Sequence, residues 1–372
     1  MLKRLLRGER SLALARLRPM LGRHVNQKSE PISISQQDIP PLSISGSANE
    51  SVKHPSAPML VPTNIPQQYL SAPVGTVLDL TSRDLDKATR HVRATIERLQ
   101  DTVQGRALAT APDQLICEHL AEDRSQIPAT NDREGYWDDD HLMYWTFGLS
   151  DANYLSAVIE RVLGREQAET ATVIDWGCAS GRVLRHLAIR RPTCRLIGTD
   201  INPNNIAFIR RYLPPAIIPV HNVVFPPLPL AEHSVDFLYA LSVFTHISDF
   251  EEAWLCELKR ILRPGGAAFV TVHTERTFAA LKPGHFLWNM VLNGRHSATG
   301  PDYFVPMVDE QFLARGEFGA RLVLTHLDWP VNNTNVFHHT DYIKSRWGQL
   351  FGIEEIIPCA HGSHQDGILL RP

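Results

Sequence analysis

Asp175, Gly177, Ala179 and Gly181 crowd into one stretch, TVIDWGCASGRVLRHL (172–187), and a second acid, Asp200, ends the segment CRLIGTD. Packing alone needs one glycine at most in such a turn. Gly177 permits a backbone conformation that a side chain would forbid and lets a ligand approach closely. Gly181 lets the next helix start tight against the preceding strand, and the helix N-terminus offers free N–H groups to a negative group. A carboxylate at Asp200 has lone pairs for the two hydroxyls of a ribose. Two acidic strand ends, 25 residues apart, suit a nucleoside lying across neighbouring strand tips. The spacing is G-x-A-x-G and not the G-x-G-x-x-G that cradles a pyrophosphate, which argues against a nicotinamide dinucleotide.

Two histidines could act on a bound acceptor. His246, in SVFTHISD, follows a strand tip and is either a general base or a hydrogen-bonding partner of the next helix start. His273 ends the following strand and faces the same choice. The pairs His338-His339 and His361-x-x-His364 lack an accompanying acid set, so no metal site is expected. The aromatics Tyr136, Trp137, Tyr144, Trp145, Phe147 and Tyr154 read mainly as core, with a water-excluding lid as the alternative.

The elements that must position these residues alternate from Ala171 onward. ATVIDWG, CRLIGTD, SVDFLYAL and AAFVTVH read as strands, separated by helical stretches. Asn202 with Pro203 marks one helix start, and Asp249 with Glu252 has capping-box spacing at another. This rhythm implies a mostly parallel sheet with helices on both faces. GIEEIIP and HQDGILLRP are too close for a parallel crossover, so one strand at the end must be reversed. Upstream, Leu85, Ala88, Val92, Ile96 and Leu99 share a helical face, and Gly164 is placed to end another helix.

The 372 residues carry a net charge of −3, which argues against a general nucleic-acid binder. Five cysteines without CxxC spacing point to free thiols in a reducing compartment, hence a cytoplasmic location. The opening segment, MLKRLLRGERSLALARLRPMLGRH, is rich in Arg and Leu. It has the composition of a helix for an anionic membrane surface, of a transit peptide, or of a solvated basic tail. The Ser-, Pro- and Gln-rich stretch after it reads as a disordered tether.

From Leu142 to Leu370 the chain resembles the class I S-adenosylmethionine-dependent methyltransferases, of the bacterial small-molecule or glycan kind. The acid-G-x-G-x-G turn, the acid ending the next strand, SVFTHI, ELKRILRPGG and the closing HQDGILL carry the resemblance. Ala179 stands where that pattern has its middle glycine. The resemblance implies a Rossmann-like, seven-stranded, mostly parallel sheet with a reversed last strand. It implies S-adenosylmethionine as cofactor, its ammonium held by Asp175, and an adenine contact at Asn222 or at His221. It also implies methyl transfer to a small-molecule or glycan acceptor, with oxygen the expected atom. Residues 1–77 are then a tail, 78–150 a helical lid or cap, and 151–372 the methyltransferase domain. The rival readings are a non-catalytic scaffold of the same fold and, behind it, an NAD-dependent dehydrogenase.

Overall fold

The structure, a computed structural model of the chain, describes residues 76–77, 85–134, 136–137, 139–328 and 334–372. The readings of the basic segment and of the tether fall on residues before 76 and lie outside the described residues. Thirteen strands are described: β1 (Thr76–Val77), β2 (Gln126–Ile127), β3 (Thr172–Trp176), β4 (Arg195–Asp200), β5 (Ile217–His221), β6 (Val235–Ala240), β7 (Leu262–Val272), β8 (His296–Gly300), β9 (Tyr303–Val305), β10 (Arg321–His326), β11 (Thr334–His338), β12 (Gly352–His361) and β13 (Gln365–Arg371).

Seven of them form the main sheet in the order β12-β13-β7-β6-β3-β4-β5. Strands β5, β4, β3, β6 and β7 are mutually parallel, and β13 runs antiparallel to both β7 and β12. The reversed strand is where the short CAHGSH connection requires it. The strand order reverses between β3 and β6, so the tips of these two strands flank a crevice.

The central strands β3 and β6 are buried along their length because both faces are covered, and the period of two decides which side chain serves which face. Val173, Leu196, Phe237, Tyr239 and Phe269 belong to one buried cluster. Their neighbours Ile174, Ile197, Leu238, Ala240 and Val270 belong to the other. Helices His141–Leu163 and Leu184–Arg190 supply the first cluster, and Glu251–Ile261 the second.

Helix His141–Leu163 begins at Asp140, whose side chain accepts from the Met143 N–H, and ends at Gly164 with φ +80°. Its first half, with Tyr144, Trp145 and Leu149, packs against the helices Leu85–Glu97, Val103–Ala109 and Asp113–Glu122. Its second half packs on the sheet through Leu155, Val158 and Ile159. The expected boundary at 150 thus falls inside one continuous helix. A buried ion pair adds a second tie: Arg185 Nε lies 2.7 Å from Asp123 Oδ2, and the Trp145 indole N–H donates to the same oxygen at 2.8 Å. Burial pushes the Asp123 carboxyl up, but the charge and hydrogen bonds of Arg185 outweigh it and hold the pKa at about 2.

Helix Pro203–Tyr212 starts as its sequence suggests, with Asn202 accepting from the Asn204 N–H and proline in the first turn. The capping box expected from Asp249 and Glu252 does not form. The helix starts after Phe250, at φ +59°, with no side-chain cap, and Asp249 accepts instead from Ser248 Oγ. Between 296 and 338 the chain forms a four-stranded antiparallel sheet, β11-β10-β8-β9. Phe278, Leu287, Trp288, Phe312, Leu322, Leu324 and Phe337 form its own small core. Strand β11 docks on the tips of the main sheet: the Val336 N–H donates to the Thr245 carbonyl and the His338 N–H to the His273 carbonyl, both at 2.8 Å.

Candidate active site

Strand β3 ends at Trp176, and the chain then turns through Gly177 at φ +78°, Ala179 at φ +46° and Gly181 at φ +79°. The Gly177 and Cys178 N–H groups donate to the Thr199 carbonyl, at 2.8 and 2.9 Å, which folds the turn over the tip of β4. A β-carbon on Gly177 would lie 2.4 Å from Val243 Cγ2, so both backbone and space require glycine there. Ala179 holds a left-handed conformation that costs a residue with a β-carbon roughly 1–2 kcal/mol. Glycine would remove that strain but lose more chain entropy on folding. Ala179→Gly is therefore expected to stabilise the protein by about 0.5–1 kcal/mol, read as a small rise in the midpoint of denaturant unfolding.

Asp200, at the tip of β4, binds the turn to the next helix. Its Oδ2 accepts from the Ala179 N–H at 2.8 Å, and its Oδ1 from the Asn202 N–H at 2.7 Å and the Asn205 amide at 3.3 Å. Three of its roughly four acceptor directions are taken, so it has one left for a ribose, not two. Burial raises its pKa against these bonds. Asn222 lies just past β5, its N–H donating to the Asp200 carbonyl at 3.1 Å. Its side-chain N–H donates to the Val223 carbonyl at 2.9 Å, while its Oδ1 is buried and has no partner. The alternative, His221, is exposed and is taken up by the Ile201 carbonyl at 3.1 Å.

Asp175 is 4 % exposed, and its Oδ2 accepts from the Tyr239 hydroxyl at 2.9 Å. Burial pushes its carboxyl up to about 8, with Asp200 and Asp151 adding repulsion, and the Tyr239 bond and the Arg182 charge oppose the rise.

The other walls combine aromatics that the sequence left between core and lid with residues it did not single out. Tyr136 and Arg133 reach over the turn from the segment between Pro128 and Asp140, a strap across the strand tips. The Arg182 guanidinium lies 4.5 Å from the Phe147 ring centroid and 5.0 Å from that of Tyr136, and it donates to Asp151 at 2.8 Å. The Tyr144 hydroxyl and Ser180 Oγ are 3.0 Å apart. Of the residues not singled out, Arg133, Ser180 and Arg182, the visible signal was Arg182, an arginine next to the second glycine at the start of an apolar helix. The space these groups enclose beside Gly177 is about 30 Å³, room for one water.

Beyond the turn, Ser242 follows the tip of β6 at φ +62°. Its Oγ accepts from the Tyr136 hydroxyl at 3.1 Å and from the Gln365 amide at 2.8 Å. His246 is exposed in this region. Its Nδ1–H donates to the Thr334 carbonyl at 2.7 Å, which leaves Nε2 as an acceptor. Desolvation by the surrounding chain lowers its pKa, so the ring is neutral at pH 7. His273 is placed differently. It is buried, stacked on Phe337 with centroids 5.0 Å apart, and its Nδ1 is 3.5 Å from the His364 carbonyl. The structure thus brings Asp175, Gly177, Ala179, Gly181, Asp200 and Asn222 together, leaves His246 open and encloses His273 behind β11. His338 is spent on Glu251, and His339 caps the helix that follows.

A description of one protein family, the methyltransferase domain, matches residues 174–270, from β3 through most of β7. Residues 174–270 thus match a methyltransferase domain. Among curated relatives, the methyltransferase domain is similar to malonyl-[acyl-carrier protein] O-methyltransferase of Hahella chejuensis, 28% identical over 131 residues, 33% of this chain and 43% of that protein. It is also similar to trans-aconitate 2-methyltransferase of Variovorax paradoxus, 29% identical over 124 residues, 33% of this chain and 45% of that protein. The chain spans less than half the length of these curated relatives. Among solved structures, an S-adenosylmethionine dependent methyltransferase from Mesorhizobium loti aligns with 60% of this chain and 98% of its own, at 14% identity and a TM-score of 0.40.

The side chains present suit S-adenosylmethionine, the cofactor that the resemblance implies. The orphaned Asn222 oxygen is an acceptor awaiting a donor such as an adenine amino group. Asp200 keeps one direction for a ribose hydroxyl. Asp175 gains its charge most easily beside a cation, which the amino-acid end supplies. Arg133 and Arg182 can face its carboxylate. Among the described residues, no helix is long and apolar enough to cross a membrane.

Proposed function

We propose that the protein transfers a methyl group from S-adenosylmethionine to a hydroxyl of a small-molecule or glycan acceptor. The observation that carries this reading is the meeting, at the tips of β3, β4 and β5, of a positive-φ turn, Asp200 and the unpartnered Asn222 oxygen. When bound, the cofactor supplies an electrophilic methyl carbon. The protein's part is then to position, to exclude water and to take a proton. The strap, with Tyr136 hydrogen-bonded to Ser242, covers the reacting region on one side. Ser242 and Gln365 offer polar contacts to an acceptor at the tip of β6.

His246 is the base. The Thr334 carbonyl fixes its tautomer, and Nε2 remains to receive the acceptor's proton. His273 serves the joint between the two sheets. Residues 78–150 act as the cap over the cofactor, and 151–372 carry the chemistry. The five unpaired thiols fit a cytoplasmic setting, and the basic N-terminus suits contact with an anionic membrane surface.

Calorimetry with S-adenosylmethionine tests the cofactor reading, and formation of S-adenosylhomocysteine with panels of hydroxylated acceptors tests turnover. Binding without turnover on any acceptor would favour the scaffold reading. With an active acceptor in hand, His246→Gln is expected to lower kcat about 10²–10³-fold while cofactor affinity stays within about twofold. An unchanged kcat would remove His246 from the proton transfer.

A further inference from the structure

Glu134 stands on the strap at φ +51°, a left-handed backbone that a side-chain-bearing residue seldom adopts. It is exposed, and its Oε1 accepts from two amides of the facing segment, Asn202 Nδ2 at 3.1 Å and Asn205 Nδ2 at 2.9 Å. Asn205 Nδ2 also lies 3.3 Å from Asp200 Oδ1, so one amide bridges the two carboxylates. Two like charges are thereby held together, over the tip of β4, where the nucleoside is proposed to lie. Such closeness is unfavourable unless donors or a cation fill the space between them. Among the described residues, no group of three or more acidic, His or Cys side chains is arranged to hold a metal ion.

Lone-pair counting identifies what does fit. Asp200 has three of about four acceptor directions occupied, by the Ala179 and Asn202 N–H groups and by Asn205. A vicinal diol brings two donors, and Asp200 can serve one. Glu134 Oε2 has no partner among the described residues, and as part of a carboxylate it can only accept. We infer that Glu134 is a second ribose-binding residue, its Oε2 accepting one hydroxyl of the cofactor while Asp200 Oδ2 accepts the other. The strap thus carries a group that would contact the bound sugar from the side opposite Asp200. This assignment rests on the cofactor reading above.

The test is calorimetric titration with S-adenosylhomocysteine and with its 2′-deoxy and 3′-deoxy analogues, on the wild-type protein, Glu134→Gln and Glu134→Ala. The wild-type protein is expected to bind the parent compound about 10-fold more tightly than either variant. It should also discriminate against both deoxy analogues, whereas the variants lose discrimination against one of them. Thermal denaturation without ligand provides the control, since a merely structural strap contact would lower the midpoint and leave affinity and discrimination intact. Wild-type affinity in both variants overturns the assignment alone. So does an equal loss for the parent and both analogues. No binding by the wild-type protein overturns the cofactor reading and takes this assignment with it.

Discussion

Asp175→Asn should make the ligand-free protein more stable and the cofactor complex weaker. An acid whose pKa is raised from 3.8 to about 8 on folding contributes stability that is full below 3.8 and is lost as the pH rises through 8. At pH 7–8 the wild-type protein therefore bears most of this cost. A rise from 3.8 to about 8 corresponds to a ceiling of about 5–6 kcal/mol, which relaxation roughly halves, so a gain of about 2–3 kcal/mol is expected. Asparagine keeps an acceptor for the Tyr239 hydroxyl, so the gain is not offset by a broken bond. The same burial makes binding proton-linked. A cation beside Asp175 stabilises the carboxylate, so each binding event below pH 8 releases up to one proton. Affinity should rise up to about 10-fold per pH unit between pH 6 and 8 and level off above. Asp175→Asn should abolish that slope and weaken binding at pH 8 by about 10-fold or more. Urea denaturation at several pH values, with titrations in two buffers of different ionisation enthalpy, checks both halves. A wild-type affinity that is flat from pH 6 to 8 would refute the linkage.

The second large effect is expected at Glu251, far from the cofactor. This side chain is 6 % exposed and collects four partners from the segment beyond β9. Its Oε2 lies 2.8 Å from Arg321 Nε and accepts from His338 Nε2 at 2.8 Å. Its Oε1 accepts from the Trp347 indole at 2.7 Å and the Tyr342 hydroxyl at 3.1 Å. Burial opposes its charge, but His338 and Arg321 outweigh it and hold the pKa at about 2. Its contribution is thus present above 4.5 and lost as the pH falls through about 2. Glu251→Ala takes the ion-pair partner from a half-buried arginine and a buried histidine, which costs about 3 kcal/mol. The four-stranded sheet and the helix Thr340–Arg346 should loosen first, since this carboxylate ties both to helix Glu251–Ile261. Hydrogen exchange is expected to rise in β10 and β11 while β3 and β4 stay protected. Replacing the whole set with apolar residues of similar volume should cost much less than removing Glu251 alone. A loss under about 1 kcal/mol would show that the network is not what joins the two sheets.

The main sheet was legible because its signals are local. Alternation of apolar strands with helical periods, the Asn202-Pro203 start, the Gly164 stop and the short CAHGSH connection each act over a few residues. The glycine turn was legible for the same reason, and the positive φ at Ala179 is what its position implied. The failed capping box at Asp249 shows the limit of such signals. Spacing permits a cap, but the chain reaches Phe250 in a left-handed turn and leaves the acid outside. The sheet between 296 and 338 was not legible, because short strands such as Tyr303–Val305 carry too few residues to display a period.

The sequence by itself determined the parallel sheet with its reversed strand, the turn beside Asp175 and the acid at Asp200, since backbone freedom and periodicity are properties of neighbouring residues. Only the tertiary structure decided which side chains complete the site. Burial, not sequence, raises Asp175 to about 8, opens His246 and encloses His273. Lone pairs consumed by residues next to Asp200 leave it a single free direction, and a strap from more than sixty residues upstream lays Glu134 beside it. Desolvation and hydrogen-bond occupancy are set by whatever packs around a group, and no local pattern in the chain records that.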